Sequence, residues 1–436
     1  WYAWAATKKG QSPEEAEKLL MGAIDALKAG EFSDEDIAAV ITNFELGEKG
    51  RIESNEARVS LMSGSFTSAE PWERTVGRLD RMRKITKADI VRVANKYLSA
   101  DRVVVYRRDA KPEIPKIAKP AFTRIEIDPS RESAFLKELL AIPAAPIEPQ
   151  WLVAGRDYQI TPIEGGRLYS SKNPYNDLFS LSFHFDRGYR HERELCAAIE
   201  LLELSGAGPW SADEFKKKLF ALGSALSYSC DEQDSSIQLS GLDRNLWATL
   251  QLMSQRFDWP NIESGTLAKL VEVDLGARED DKKNPSALSY ALAQAATRGR
   301  DSGVLKRLSN AEYKALDESR LKSLIRDFPL HPARVAYTGN RAPSEIAKLL
   351  ESGRRLRSAP ARAPFKLLRP TSPRVLFTHR DMVQAQVGLF AADETFDPAR
   401  VVDYQYYSEY MGGDMSAVIF QEVRESRALA YSASGG

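Results

Sequence analysis

The spacing of apolar side chains in the first hundred residues predicts amphipathic helices. Ser12-Pro13-Glu14-Glu15 carries a capping serine, a proline at the first helical position and a glutamate at the third. The apolar positions that follow at helical spacing are Leu19, Leu20, Ile24 and Leu27. Gly30 then ends this helix, and further helices are predicted to begin at Ser33 and at Thr86. The helix from Thr86 leads into a β-branched run at 103–106 that predicts a strand.

Prolines interrupt the pattern between residues 109 and 150. They stand at Pro112, Pro115, Pro120, Pro129, Pro143, Pro146 and Pro149. Only residues 132–140 have helical character within this stretch. A segment of this length usually has a structural purpose, so we predict a linker over 109–150, for example one that spans two halves that must face each other.

The region after the linker alternates between strand and helix patterns. Strands are predicted near 158–160, 168–170, 178–185, 225–230, 235–240 and 335–338. Helices are predicted over 191–204, 211–222, 243–256, 264–278, 286–297 and 309–326. The helix–strand pattern at 86–106 recurs with the same spacing at 317–337. Either the recurrence is a coincidence, or the chain contains two related α+β units. The pattern as a whole predicts an α+β fold: repeated two-layer domains, each a mostly antiparallel sheet with helices on one face.

A new unit is predicted to begin near Arg374. Strands are expected at 375–377, 383–389 and 429–434, and a helix is expected over 399–410. Gly412-Gly413 breaks that helix, and Asp414 is placed to cap another helix that runs to Glu425.

Composition excludes some classes of function. The 436 residues have a formal net charge of zero, which argues against a general nucleic-acid binder. No apolar run is long enough to predict a transmembrane helix. Cys196 and Cys230 leave open whether they pair, and they leave both the periplasm and the cytoplasm open as compartments.

Local motifs for catalysis are incomplete in this chain. The nearest approach to a zinc helix is His191-Glu192-Arg193-Glu194-Leu195, where Leu195 occupies the place of the second histidine and has no lone pair. The chain has no Gly-x-Ser-x-Gly elbow and no phosphate-binding glycine loop. An exposed, charged helix start accounts for the histidine motif, and the chain alone is not expected to be an enzyme.

Arg424 and Tyr431 form the densest candidate site. Arg424 stands near a predicted helix end and Tyr431 on the next strand, so a tight turn would bring a guanidinium beside a phenol. Both groups donate hydrogen bonds to carbonyl oxygens. A surface arginine and an unrelated sheet tyrosine would be the alternative.

This terminal segment resembles the pitrilysin/insulinase-type zinc metallopeptidase family, also called the inverzincin family. Phe420-Gln421-Glu422-Val423-Arg424 and Leu429-Ala430-Tyr431 match the arginine and tyrosine, seven apart, that the non-catalytic half of these peptidases supplies to the substrate. The catalytic half carries His-x-x-Glu-His. Here Glu200-Leu201-Leu202-Glu203-Leu204 occupies the approximate place of that motif, and only Glu203 matches. With Glu200 and Leu204 at the ligand positions, no zinc is expected in this chain.

The resemblance also implies a domain division. Residues 1–108 would be the end of the second α+β domain of the N-terminal half, 109–156 the linker, 157–352 the third domain, and 353–436 the start of a fourth, truncated domain. The catalytic first domain would be missing.

The implied function is that of the non-catalytic part of a zinc metallopeptidase, which binds peptide and closes the chamber. Arg424 and Tyr431 would contact the substrate, and zinc would belong to the missing catalytic domain. The expected partners are a peptide and a half that carries His-x-x-Glu-His, in the same or a separate polypeptide, and not nucleic acid. Two alternatives are a catalytically inactive scaffold subunit of a larger complex and a metallopeptidase with an unusual ligand set.

Overall fold

The structure, a computed structural model, describes residues 1–8, 10–99, 101–108, 117–120, 131–143, 146, 148–351, 356–358, 366–381, 385–391 and 396–436. The chain forms two compact units, the first made of Trp1–Leu270 with Ala315–Arg362 and the second of Val271–Lys314 with Ala363–Gly436. The four-part domain division that the resemblance implies remains a prediction. Much of the proposed linker, including 109–116 and 121–130, lies outside the described residues.

Helices make up most of the described regular structure. They are α1 Pro13–Ala29, α2 Asp34–Arg51, α3 Asn55–Thr67, α4 Trp72–Val76, α5 Arg78–Met82, α6 Lys87–Tyr97, α7 Ala134–Leu140, α8 Leu195–Glu203, α9 Ala212–Ala221, α10 Leu246–Asp258, α11 Thr266–Asp281, α12 Pro285–Arg298, α13 Gly303–Lys306, α14 Asn310–Lys314, α15 Glu318–Asp327, α16 Pro343–Leu350 and α17 Val401–Gly412. Short 3₁₀ turns cover Asp243–Asn245, Gly299–Asp301, Phe328–Leu330 and Pro398–Arg400, and Phe420–Glu425 is a π-helix. Helices begin where they are predicted after Ser12, Ser33 and Thr86, each with a capping box, and Ser211 caps α9 in the same way.

The first unit is built around a six-stranded sheet. The strands are β1 Gln159–Ile163, β2 Gly166–Lys172, β3 Leu178–Phe185, β4 Gly206–Ala207, β5 Ser224–Cys230, β6 Ser235–Leu242, β7 Pro260–Asn261 and β8 Arg334–Gly339. The sheet order is β1-β2-β8-β3-β6-β5, while β4 pairs with β7 in a separate ribbon. Only the β2–β8 pair of the large sheet is parallel. The predicted α+β class with a mostly antiparallel sheet is thereby confirmed.

Alternation along the strands separates a buried face from an open face. In β3, Leu181 lies opposite Leu239 of β6 and Tyr337 of β8, and all three side chains are almost fully buried. Burying side chains of this size contributes roughly 1.5–3 kcal/mol each. Neighbouring positions on the other face, such as Ser180 and Thr338, are exposed. The helices therefore cover one face of the sheet, as the period-two pattern predicts.

The regular structure of the second unit is helical in the described residues. Within it, the side chain of Arg278 in α11 donates to the carbonyl of Leu308 at 2.8 Å and lies 4.6 Å from the ring centroid of Tyr313. The backbone N–H of Leu368 donates to Thr297 O at 2.7 Å, which attaches an extended segment to α12.

Four predicted strands are not strands in the described residues. Segments 103–106, 375–377, 385–389 and 429–434 have no ladder partner there, and positions 383 and 384 lie outside the described residues. Apolar or β-branched runs favour extended backbone, but a strand also needs a hydrogen-bonded neighbour. The first segment is instead attached to α1, where Glu17 accepts hydrogen bonds from Arg102 and Tyr106.

The predicted helix over 191–204 begins later, at Leu195. The residues before it follow another path because the backbone N–H groups of Tyr189 and Arg190 donate to the carbonyls of Asp231 and Glu232, each at 3.0 Å. These bonds attach the loop to the β5–β6 turn and delay the start of α8.

A cluster of charged side chains connects the N-terminal helices to the sheet. Glu45 of α2 accepts hydrogen bonds from Arg244 at 3.0 and 3.2 Å and from Lys49 at 2.6 Å, with Arg83 at 3.5 Å. Lys49 also pairs with Asp177 at 2.6 Å. The guanidinium of Arg244 and the ammonium of Lys49 lower the pKa of Glu45 to about 2.

This cluster predicts acid sensitivity. The pKa of Glu45 is lower in the folded chain than its ordinary 4.5, so its stabilising effect is complete above pH 4.5 and disappears as the pH falls towards 2. Because its arginine partners are half exposed, we expect Glu45→Gln to cost about 1–2 kcal/mol of unfolding free energy at pH 7 and little at pH 2. Urea unfolding at both pH values measures the difference. Glu31→Gln, at an exposed position, is the control, and equal losses at both pH values would contradict the prediction.

Candidate functional site

The positions that resemble a zinc motif lie at the end of α8. Glu200 and Glu203 are exposed, and Leu204, which follows the helix, is 41% exposed and offers no lone pair. No group of three or more His, Cys, Asp or Glu side chains in the described part of the chain could hold a metal ion. This donor set does not fit zinc, so no chemical step is derived through a metal here.

A buried arginine occupies the region just beyond that helix end. Arg256 of α10 is 4% exposed, and its Nη2 donates to Glu203 O at 2.8 Å and to Ser205 O at 2.7 Å. Its guanidinium lies 4.5 Å from the ring centroid of Phe215 and 5.6 Å from that of Tyr228. Burial raises the pKa of Tyr228 to about 12, although the nearby arginine opposes this shift. The guanidinium of Arg256 therefore lies at the carboxyl end of α8, where the helix dipole is negative.

A disulfide fixes the other end of α8. Cys196 in its first turn pairs with Cys230, the last residue of the edge strand β5. The adjoining turn of the β5–β6 hairpin also holds the loop before α8, since Ser235 Oγ donates to Arg187 O at 2.6 Å and Arg190 Nε pairs with Glu232 at 2.5 Å. Both ends of α8 are therefore restrained by contacts to neighbouring elements.

Arg424 and Tyr431 come together in the second unit. Arg424 lies in the π-helix, and its guanidinium carbon is 4.5 Å from the ring centroid of Phe420 and 5.0 Å from that of Tyr431. Its Nε pairs with Glu425 at 3.3 Å. The predicted proximity of guanidinium and phenol is present, whereas their role in binding substrate remains a prediction.

A tight turn produces this proximity. The backbone N–H of Ala428 donates to Arg424 O at 3.1 Å and that of Leu429 to Val423 O at 3.0 Å, which closes the helix end. Ala428 has φ +49°, a left-handed conformation that glycine usually supplies at this point. The chain therefore reverses within a few residues and returns Tyr431 to the side chain of Arg424.

The pair is accessible to a ligand. The side chain of Arg424 is 36% exposed, and Tyr431 is 80% exposed. Stacking restrains the guanidinium, and its Nη groups make no hydrogen bond to another described residue. The arrangement can donate hydrogen bonds from the guanidinium and the phenol to an oxygen of a bound molecule.

Comparisons with known proteins identify the fold. The sequence matches no protein-family profile and no curated protein. The structure is nevertheless similar to the peptidase M16 inactive domain from Pseudomonas fluorescens, with 16% identity, a TM-score of 0.50, and coverage of 64% of this chain and 70% of that one. It is similar to a protease from Helicobacter pylori at 15% identity and a TM-score of 0.50, over 64% of this chain and 71% of that one.

These likenesses define the class of fold. At such identities they show the fold alone, which is the α+β architecture expected from the resemblance. No helix in the described ranges is both long and apolar enough to cross a membrane.

Proposed function

We propose that this chain is the non-catalytic, substrate-binding and chamber-closing part of a zinc metallopeptidase of the pitrilysin type. The contact between Arg424 and Tyr431 is the observation that carries the proposal, because it brings the guanidinium and the exposed tyrosine ring together. The fold shared with a peptidase M16 inactive domain supports it. A partner half with His-x-x-Glu-His, in the same or a separate polypeptide, would supply the zinc.

In this proposal the pair acts on the substrate carbonyl. The guanidinium of Arg424 donates to the carbonyl oxygen or to the oxyanion that forms when water attacks it, and Tyr431 donates from its hydroxyl. Fixed donors stabilise developing negative charge more than they stabilise the neutral carbonyl. The substrate is an unstructured peptide. It would lie as an added strand along a sheet edge.

Peptide binding tests the role of Arg424. We expect Arg424→Ala to weaken the binding of a fluorescein-labelled unstructured peptide about tenfold, because a hydrogen bond from a charged donor is lost. Fluorescence anisotropy measures the dissociation constant. Arg427→Ala is the matched control, since Arg427 lies three residues further on and pairs with Glu422 instead. Equal affinities for the natural chain and both variants would contradict the assignment.

Hydrolysis tests the proposed dependence on a partner. With zinc present, we expect this chain alone to leave a quenched fluorescent peptide intact and the mixture with a half carrying His-x-x-Glu-His to cleave it. Cleavage by this chain alone would overturn the non-catalytic assignment. A peptide that neither binds nor is cleaved in the mixture would favour the inactive scaffold subunit instead.

A further inference from the structure

A cleft of about 500 Å³ lies among the N-terminal helices of the first unit. Arg424 and Tyr431 belong to the second unit. One wall is the face of α3 that carries its smallest side chains, including Ser60 and Gly64. Thr75 of α4, Arg78 of α5 and Arg51 at the end of α2 also line the cleft. A volume of this size is in the range of small-molecule sites.

Thr75 supplies an unpartnered hydroxyl to this cleft. The residue is 3% exposed, and its Oγ1 makes no hydrogen bond to any described residue. Leaving a buried hydroxyl without a partner is unfavourable. A hydroxyl that borders a cleft can satisfy this need by bonding to a bound molecule.

A second unpartnered donor borders the same space. The Nε–H of Arg51 is buried without a hydrogen-bond partner in the described residues, although its Nη2 pairs with Glu48. An arginine Nε has a hydrogen to donate and no lone pair to accept with. The partner that Arg51 lacks is therefore an acceptor, as an oxyanion would be.

Arginines surround one carboxylate of the cleft lining, Glu70. Glu70 on the rim is shared by Arg74 and Arg78 at 3.4 Å and by Arg81 at 4.0 Å. Three guanidinium groups thus have one carboxylate among them, and these contacts are long. This group is positive, but Glu56 also lines the cleft, so the choice of an oxyanion rests on the two unpartnered donors, Thr75 Oγ1 and Arg51 Nε.

We propose that this cleft binds a small organic molecule through an oxyanion, either a carboxylate or a phosphate. Thr75 Oγ1 and Arg51 Nε donate to its oxygens, and the small side chains of α3 accommodate the rest of the ligand. The site is independent of the peptide-binding role proposed for Arg424.

Isothermal titration calorimetry with three probes tests the proposal. Succinate and inorganic phosphate represent the two oxyanions, and succinamide is an uncharged molecule of similar size to succinate. We expect the full chain to bind at least one oxyanion and to bind succinamide at least tenfold more weakly. Binding of neither oxyanion, or equal binding of succinate and succinamide, would overturn the proposal.

Gly64→Leu tests the location of the site. A Cβ built at Gly64 meets no atom within 4 Å, so a larger side chain enters the cleft without displacing the fold. We expect this variant to keep its melting temperature and to lose the binding of the oxyanion. Gly47→Leu is the matched control, because Gly47 is also helical with open space at its Cβ and does not line the cleft. Unchanged affinity in Gly64→Leu would place any binding elsewhere and overturn the proposal.

Thr75→Val tests the chemistry, because it replaces the hydroxyl by a methyl of similar size. We expect about a tenfold loss of affinity for the oxyanion, as for a lost hydrogen bond to a charged group. Thr67→Val is the control, since that exposed hydroxyl donates to Ser63 O at 2.9 Å outside the cleft. Equal affinities of the two valine variants would refute the contact with Thr75.

Discussion

Removal of the Cys196–Cys230 disulfide is expected to lower the unfolding free energy of the first unit by about 3–4 kcal/mol. The bond joins positions 34 residues apart, so it restricts a loop of considerable length in the unfolded chain. It also holds the first turn of α8 to the end of an edge strand. The loss is expected in the double variant Cys196→Ala/Cys230→Ser and in the natural chain after reduction.

Tryptophan fluorescence in urea measures this loss. All seven tryptophans lie within residues 1–270 and so report on the first unit. The double variant is the control for the reductant, because dithiothreitol should lower the urea midpoint of the natural chain and leave that of the variant unchanged. Material made in a reducing cytoplasm should behave like the variant. A natural chain whose midpoint does not respond to dithiothreitol would contradict the prediction.

Local signals in the sequence were sufficient for most elements of the sheet and its helices. Ser12, Ser33 and Thr86 cap helices where the capping pattern predicts them, because that pattern depends on atoms within four residues. The alternation over 178–185 places Leu181 on the buried face for a similar reason. The run at 103–106 has equally strong strand character, yet it remains unpaired within the described residues. Pairing depends on a neighbour that is often distant in sequence, which a local pattern cannot reveal.

Local sequence also predicts only part of the candidate site. The approach of Tyr431 to Arg424 follows from a turn of a few residues and was predictable from their spacing. The sequence leaves the pairing of Cys196 with Cys230 open, because it depends on how α8 packs beside β5. The sequence analysis does not predict the role of Arg256, although a single arginine between Met253 and Phe257 on an apolar helix face is a signal of burial.

Replacement of that buried arginine is expected to destabilise the first unit strongly. In Arg256→Leu, the carbonyls of Glu203 and Ser205 lose the donor that they share, and the side chain no longer stacks on Phe215. Each lost hydrogen bond from a charged group costs about 1.5–3 kcal/mol when the acceptor stays buried. Because leucine recovers some apolar contact, we expect a total loss of about 3–5 kcal/mol in unfolding free energy, measured by tryptophan fluorescence in urea.

An exposed arginine with a similar hydrogen bond provides the control. The Nε of Arg326 donates to Asp258 O at 3.2 Å, but the side chain is exposed and water can replace it. Arg326→Leu should therefore change the unfolding free energy by less than about 0.5 kcal/mol. The loss of unfolding free energy in Arg256→Lys should fall between those of the two leucine variants. The ammonium of lysine keeps the charge, but it cannot stack on Phe215 as the planar guanidinium does. If Arg256→Leu were as stable as the natural chain, hydrophobic packing alone would hold the end of α8, and the carbonyls would have to find other partners.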